Sequence, residues 1–253
     1  MGLVQISYMK IDDYGPWTLS LGPDREHKLQ KLQASIYHFL QSYLTDVGGL
    51  VFSHRYDEFI GLTNGVDIEK HEALLEEFAN RFPVTISIGI GIGSTTYEAL
   101  KEAEELLKSL IIEGRRSSIS SRRRYGDRLY EYSITLAHID VANSLETTLK
   151  GGSTLYGFGA EMLELYSRLV EETMKHNMLS FYLGGDNFLI VYNGRDADEI
   201  KNLIEKPVKE LGLSIRCGIG RASTARRAMT LATTALDMIR EGRVNGDIHY
   251  IEE

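Results

Sequence analysis

Apolar and polar positions along this chain change period repeatedly, and each change marks an element. Leu3–Ile11, LVQISYMKI, alternates as a half-buried strand does. It runs into Asp12-Asp13-Tyr14-Gly15-Pro16-Trp17, where the Gly-Pro pair predicts a strand end and a loop. From Asp24 or Arg25 to about Leu44, Leu29, Leu32, Ile36, Phe39, Leu40 and Tyr43 recur at helical steps. Asp24 is the expected cap and Gly48-Gly49 the stop. Strands are predicted at Leu50–Ser53 and Phe59–Thr63 around an Arg55-Tyr56-Asp57-Glu58 turn. A helix (Ile68–Arg81), a strand (Val84–Ile92) and a helix (Thr96–Ile111) follow. Later the pattern gives a strand at Ser133–Ile139 leading into Asp140, a polar loop, and a helix over about Ala160–His176. Two short apolar runs, Phe181–Leu183 and Phe188–Tyr192, flank Gly184-Gly185-Asp186-Asn187 and predict a glycine hairpin. A helix (Ala197–Glu210), a strand (Ser214–Gly220) and a helix (Ala225–Glu241) complete the chain.

The two halves read alike. His54–Gly65, HRYDEFIGLTNG, aligns with Leu183–Gly194, LGGDNFLIVYNG, so Asp57 and Asp186 stand 129 residues apart. ISYMKID (6–12) matches ITLAHID (134–140) at an offset of 128, pairing Asp12 with Asp140. A closing strand at 126–132 matches 246–252 and leaves an extra Arg/Ser-rich stretch at 114–125. Similarity at one spacing implies duplication, with domains expected over 1–132 and 133–253. Each half reads as an α+β, ferredoxin-like βαββαβ unit, an antiparallel sheet with helices on one face. The Arg/Ser stretch is either a solvated connector or an arginine-lined lid for phosphate oxygens.

Composition narrows the class. The 253 residues are 43% hydrophobic and 25% charged, as in an ordinary globular protein. A net charge of −8 argues against a general nucleic-acid binder, and a bound metal can still invert the local field for a nucleotide. Cys217 stands alone in an apolar strand, which excludes an intrachain disulfide and predicts a core residue. No apolar run reaches ~18 residues and the N-terminus lacks a signal-peptide layout. A cytoplasmic protein with no membrane partner is expected.

Chemistry concentrates at strand ends. Gly184 and Gly185 permit positive φ and clear space for a ligand. Asp186 is then a hard oxygen ligand of the kind Mg²⁺ takes. In a ferredoxin-like unit the first strand ends beside the hairpin. Asp140 with Asp186, and Asp12 with Asp57, are therefore candidate metal pairs. His138 lies two residues before Asp140 on the same strand face, and either satisfies the structure or serves as acid or base. His54, three residues before Asp57, is the other nearby imidazole and is read the same two ways. Asp13, Glu58 and Asn187 are further acid–base or base-reading candidates.

Gly184–Asn187 with Phe188 resembles the GGDEF signature of nucleotidyl-cyclase palm domains. The combination of IDDYGPWT, RYDE (55–58), AHID (137–140) and GGDNF (184–188) resembles the archaeal GTP cyclohydrolase III family over nearly the full length. The resemblance implies two tandem ferredoxin-like nucleotidyl-cyclase palm domains. It also implies an Mg²⁺-dependent hydrolase, stimulated by K⁺-type ions, that opens the imidazole ring of GTP. The products would be 2-amino-5-formylamino-6-(5-phosphoribosylamino)pyrimidin-4(3H)-one and inorganic phosphate, feeding archaeal flavin and deazaflavin synthesis. By the same resemblance the backbone of Val141, Ala142, Asn143 and Ser144 wraps the phosphates. Arg240, with Arg243 after it, falls where palm cyclases place a phosphate-contacting lysine; the first half has Ile111 there. A homo-oligomer is expected, since palm cyclases pair their domains. Glu58 departs from the asparagine expected of the family. Two alternatives share the same motifs, a GGDEF-like cyclase and a GTP-binding sensor without turnover.

Overall fold

The computed structural model describes residues 2–122, 132–142 and 154–253. The chain divides into two compact units. The first comprises Met1–Ser94, Glu98–Tyr132 and Thr224–Arg226, and the second Thr95–Tyr97, Ser133–Ser223 and Arg227–Glu253. Among the described residues no helix is long and apolar enough to cross a membrane.

Unit 1 runs β1 (Val4–Ile11), α1 (Tyr14–Ser20), α2 (Glu26–Asp46), β2 (Leu50–Arg55), β3 (Glu58–Leu62), α3 (Ile68–Arg81), β4 (Ile86–Gly93), α4 (Thr96–Ile112) and β5 (Ile119–Ser121). Its sheet has the order β2-β3-β1-β4-β5. Unit 2 runs β6 (Ile134–Val141), α5 (Leu155–Lys175), β7 (Leu179–Gly184), β8 (Asn187–Tyr192), α6 (Ala197–Glu210), β9 (Ile215–Ala222), α7 (Ala225–Arg240) and β10 (Ile248–Glu252), and its sheet is ordered β7-β8-β6-β9-β10. Both sheets therefore follow one ferredoxin-like order, with the first strand central.

One face of each sheet carries the main core. In unit 1 Met9, Ile11, Phe59, Ile86, Ile88 and Ile90 pack against Ile36, Phe39 and Leu40 of α2 and Leu74 and Phe78 of α3. In unit 2 Ala137, Ile139, Phe188, Ile190 and Cys217 pack against α5 and α6. Each large side chain so buried contributes about 1.5–3 kcal/mol. Burial pushes the Cys217 thiol up to about 12, so it stays a protonated core group.

Four details differ from the sequence reading. First, helices cover both faces. The GIGIG and CGIG runs put isoleucine or cysteine on the core side and glycine on the other, and α4 and α7 sit down on those glycines. A Cβ at Gly89 would lie 2.0 Å from the Ala103 carbonyl oxygen, and one at Gly218 2.1 Å from that of Ala232. Second, the sheets are not wholly antiparallel. β5 pairs parallel with β4 and β10 with β9, because a crossover helix joins each pair. Third, Pro16 does not open a loop. It sits in the first turn of α1, where no N–H has an intrahelical partner to lose. The N-cap of α2 is likewise Arg25, not Asp24.

Fourth, the closing strand of unit 1 lies inside the Arg/Ser stretch. Ile119 pairs with Ile88 as Ile248 pairs with Cys217. Residues 114–122 are thus partly an edge strand, neither a free connector nor a lid. The proposed closing strand at 126–132 falls, but for Tyr132, outside the described residues, as do residues 123–125.

The glycine face gives a stability prediction. Gly218→Val should destabilise the protein by about 1–3 kcal/mol or more, because the clash is with helix backbone that cannot step aside. Urea unfolding measures it, and Gly159→Val is the control, since a Cβ there meets nothing within 4 Å.

Candidate active site

The site of unit 2 is assembled by backbone pairing. β6 pairs with β8 so that Asp140 lies opposite Asn187, and the Val141 N–H donates to the Asp186 carbonyl at 3.0 Å. The last residues of the central strand are therefore held against the hairpin turn. Gly184 and Gly185 both have positive φ (102° and 62°), and a Cβ at either would meet nothing within 4 Å among the described residues. The turn is bare, and Asp186 stands on it.

Asp140 is buried at 7% exposure. The Arg240 guanidinium lies 2.9 Å from one carboxylate oxygen and that of Arg216 3.9 Å from the other. Arg240 reaches it from the last turn of α7, where a cation also suits the helix dipole. Burial would lower the Arg240 pKa, but the hydrogen bond and charge of Asp140 outweigh it and raise it. Beside this pair runs a directed chain. Asn187 Nδ2 donates to Asp186 Oδ1 at 2.7 Å, which turns Asn187 Oδ1 toward His138 Nε2 at 3.1 Å. The imidazole must donate there, so Nε2 carries the proton. Its Nδ1 is buried and has no hydrogen-bond partner among the described residues. Burial lowers the His138 pKa, and nearby Arg240 lowers it further against the Asn187 bond and Asp140, which act the other way. His138 is a neutral imidazole that orients the hairpin amide.

The same register applied to unit 1 corrects the pairing of the two halves. Ile11 N–H donates to the Asp57 carbonyl at 2.9 Å, Lys10 lies opposite Glu58, and Lys10 faces Ser87 as Asp140 faces Arg216. Lys10, not Asp12, is the counterpart of Asp140, and Tyr8 the counterpart of His138. The Lys10 ammonium donates to Asp57 at 2.8 Å and to Glu58 at 2.5 Å, while Tyr8 donates to Glu58 at 3.0 Å. Burial works against the Lys10 charge, yet hydrogen bonds and charge from Asp57 and Glu58 raise its pKa. Burial similarly opposes the Glu58 charge, but Lys10 and Tyr8 hold it below the usual range. Burial, then Glu58, push the Tyr8 hydroxyl up.

Asp12 lies two residues farther on and has another task. Its carboxylate accepts from Thr85 (2.7 Å), Ser87 (2.8 Å) and the Ser117 N–H (2.9 Å). Asp13 takes both arms of the Arg116 fork, at 2.7 and 2.6 Å, which lowers its pKa. Together they clamp the chain as it enters β5. Against the expected Asp12/Asp57 pair, the structure places Lys10 on Asp57 and spends the Asp12 carboxylate on Thr85, Ser87 and Ser117.

Two other assignments change. Val141 and Ala142 cannot wrap phosphates with their N–H groups, which already donate to Asp186 and Ser214. Asn143 and Ser144 lie outside the described residues. Arg243 pairs with Glu241 at 2.6 Å. His54 meets the Tyr8 ring edge-on at 6.2 Å. The sequence reading missed Lys10, Tyr8 and Arg216; the ladder equates Lys10 with Asp140 at an offset of 130, which neither the hairpin offset of 129 nor the Ile-Asp offset of 128 gives.

The donor set of unit 2 suits a hard divalent ion. Among the described residues no three His, Cys, Asp or Glu side chains gather as a metal cage. Two carboxylates from strand end and turn are the set that Mg²⁺ uses when phosphates and water complete its shell. Unit 1 does not fit. An ammonium about 4 Å from a divalent ion would be repelled by roughly 8 kcal/mol at an effective dielectric of ~20. Unit 1 instead offers a cleft of about 490 Å³ beside Asp57, lined by Tyr14, Glu26, Gln30, Gln33, Arg55 and Tyr56 among others.

Comparison with known proteins decides the family. The sequence profile of GTP cyclohydrolase III matches residues 4–253. The chain belongs to the GTP cyclohydrolase III family. It is 33% identical to GTP cyclohydrolase III of Methanococcus vannielii over 254 residues, 99% of this chain and 94% of that one. It is 32% identical to that of Methanothermobacter thermautotrophicus (99% and 100%) and 33% to that of Methanocaldococcus jannaschii (99% and 93%). The resemblance drawn from the four motifs is borne out, as is the expectation of an enzyme. Among solved structures, the chain is similar to the active GGEEF domain of a diguanylate cyclase from Vibrio cholerae. The TM-score is 0.39 and identity 15%, over 49% of this chain and 85% of that one. A GGDEF domain from Caulobacter crescentus gives 0.38 and 16%, over 47% and 77%. In the family member described here, the two strand-end sites carry opposite charge at one topological position.

Linkage between Lys10 and Glu58 gives a pH prediction. Glu58 has a depressed folded pKa, so its contribution is present above about 4.5 and lost as pH falls through the folded value. Lys10 has a raised folded pKa, so its contribution is present below 10.5 and lost as pH rises through the folded value. The stability gap between wild type and Lys10→Met, about 1–3 kcal/mol, should be widest from pH 4.5 to 10.5 and shrink on both sides. Denaturant melts across pH read it.

Proposed function

We propose that this protein is an Mg²⁺-dependent GTP cyclohydrolase of the III type. It hydrolyses GTP with opening of the imidazole ring to give the formylaminopyrimidine ribonucleotide monophosphate and inorganic phosphate. Family membership over the whole chain supports the reaction class. The observation that carries the site is the apposition of Asp140 with the bare Gly184-Gly185-Asp186 turn. K⁺ as an activator, assembly as a homo-oligomer, a cytoplasmic setting and origin by tandem duplication belong to the same reading.

Asp140 and Asp186 would hold Mg²⁺, which supplies charge for phosphate oxygens and lowers the pKa of bound water. The chain's own groups do the rest. Arg240 neutralises Asp140, and a polyphosphate would draw its planar fork toward oxygens with bidentate geometry. The glycine turn lets backbone approach the ligand without side-chain obstruction. His138 is a positioning residue: its Nε2–H fixes Asn187, and Asn187 fixes one oxygen of Asp186. A depressed pKa keeps the imidazole neutral near pH 7, so it holds the carboxylate without adding positive charge.

Asp186→Asn and Asp140→Asn should each lower kcat/KM by at least a hundredfold while the protein stays folded by circular dichroism; near-normal turnover would sink the pair. His138→Gln, which can still donate to Asn187, should retain most activity, whereas His138→Ala should lose tenfold or more. The product decides the reaction. Incubated with GTP, Mg²⁺ and K⁺, the protein should yield a monophosphate whose base has gained water, seen by mass spectrometry, with phosphate released. A cyclic or dimeric nucleotide with pyrophosphate would identify a cyclase, and unchanged GTP a sensor.

A further inference from the structure

The geometry points to Lys10 as a built-in cation that replaces a divalent metal at the hairpin of unit 1, so that metal binding by the two strand-end sites is confined to unit 2. The inference rests on the Asp140/Asp186 pair proposed above for its meaning, but its evidence lies in unit 1. Three observations carry it. By hydrogen-bond register Lys10 occupies the strand position that Asp140 occupies in unit 2, with Glu58 opposite in place of Asn187. A carboxylate ligand has thus become an ammonium, and the residue facing it has become its counter-ion.

Second, the ammonium already sits where a metal would have to sit. It lies within 2.8 Å of the turn aspartate and 2.5 Å of Glu58, and the side chains of Lys10, Asp57 and Glu58 are 29%, 16% and 12% exposed. Arg55 lies 3.7 Å from the same Glu58 oxygen and Tyr8 donates to the other, so positive and hydrogen-bonding groups surround the carboxylates. A divalent ion could take Asp57 only by expelling a paired ammonium. Third, the turn is not cleared for a ligand. Arg55 and Tyr56 stand where unit 2 has Gly184 and Gly185, and neither Arg55 nor Tyr56 adopts positive φ. Glu58, which faces Lys10 across the ladder, is the acid that balances the lysine.

The test uses Mn²⁺ alone, titrated into the nucleotide-free full chain, with bound ion counted by electron paramagnetic resonance. Asp57→Asn should leave Mn²⁺ affinity within about twofold of wild type. Lys10→Asp, which restores a carboxylate at the strand end, should add one bound Mn²⁺ per chain, and adding Asp57→Asn to that variant should remove it. Loss of wild-type Mn²⁺ in Asp57→Asn would overturn the inference, as would a folded Lys10→Asp protein that gains no ion. If Lys10→Asp does not fold, Lys10→Gln replaces it. This change should admit one additional, weaker Mn²⁺, and no gain would again overturn the proposal. The arms separate the two readings: Mn²⁺ binding that survives Asp186→Asn removes the unit 2 metal pair, whereas the Lys10 variants report on unit 1 alone.

Discussion

Everything at the candidate site depends on one backbone constraint, the pinning of the central strand's end to the carbonyl of the hairpin aspartate. Val141 makes that bond to Asp186, and Ile11 makes it to Asp57. A central antiparallel strand has no freedom left once both neighbours are paired, so the residue before the bond always faces the turn. The side chain at that position then sets the electrostatics of the unit. Because the anchor is main chain to main chain, it tolerates aspartate in one unit and lysine in the other.

The consequence is an inversion of charge at equivalent positions. In unit 2 a buried strand-end carboxylate is balanced by Arg240, a partly exposed group in the last turn of α7. In unit 1 a strand-end ammonium is balanced by the turn and the facing strand, Asp57 and Glu58, whose positions the sheet fixes. The first arrangement takes its counter-charge from a partly exposed side chain. The second is closed, with charge-assisted bonds that reinforce the sheet. Asp12 and Asp13 extend this structural role by gripping Arg116 and Ser117, which delivers the chain to its edge strand.

The glycines on the far face serve the same geometry. Gly218 and Gly220 let the backbone of α7 descend onto β9 to distances no Cβ would allow, and Arg240 rides at the end of that helix. Close helix–sheet packing is thus what brings the guanidinium to Asp140. A larger residue on β9 would lift the helix and separate the pair, coupling a packing detail to the site's charge.

Local pattern was enough to read most elements. The periods of α3 and α6, the two hairpins and the central strands follow from alternation and capping, which act over a few residues. The four motifs at their spacings were enough for the family, and the Gly184–Asn187 turn was legible because few residues tolerate positive φ. What the sequence could not decide was the register of β1. A shift of two residues in a strand keeps every side chain on its own face. Asp12 and Lys10 were therefore equally good partners for the hairpin by pattern, and the Ile-Asp identity favoured the wrong one. Only the hydrogen bonds to β3 and β4 distinguish them, and these are tertiary. The same holds for helices on both faces: the Gly alternation was visible, but which helix fills a glycine face depends on chain crossovers that no local period encodes. Partnership between Arg240 and Asp140, a hundred residues apart in sequence, likewise exists only once α7 has packed.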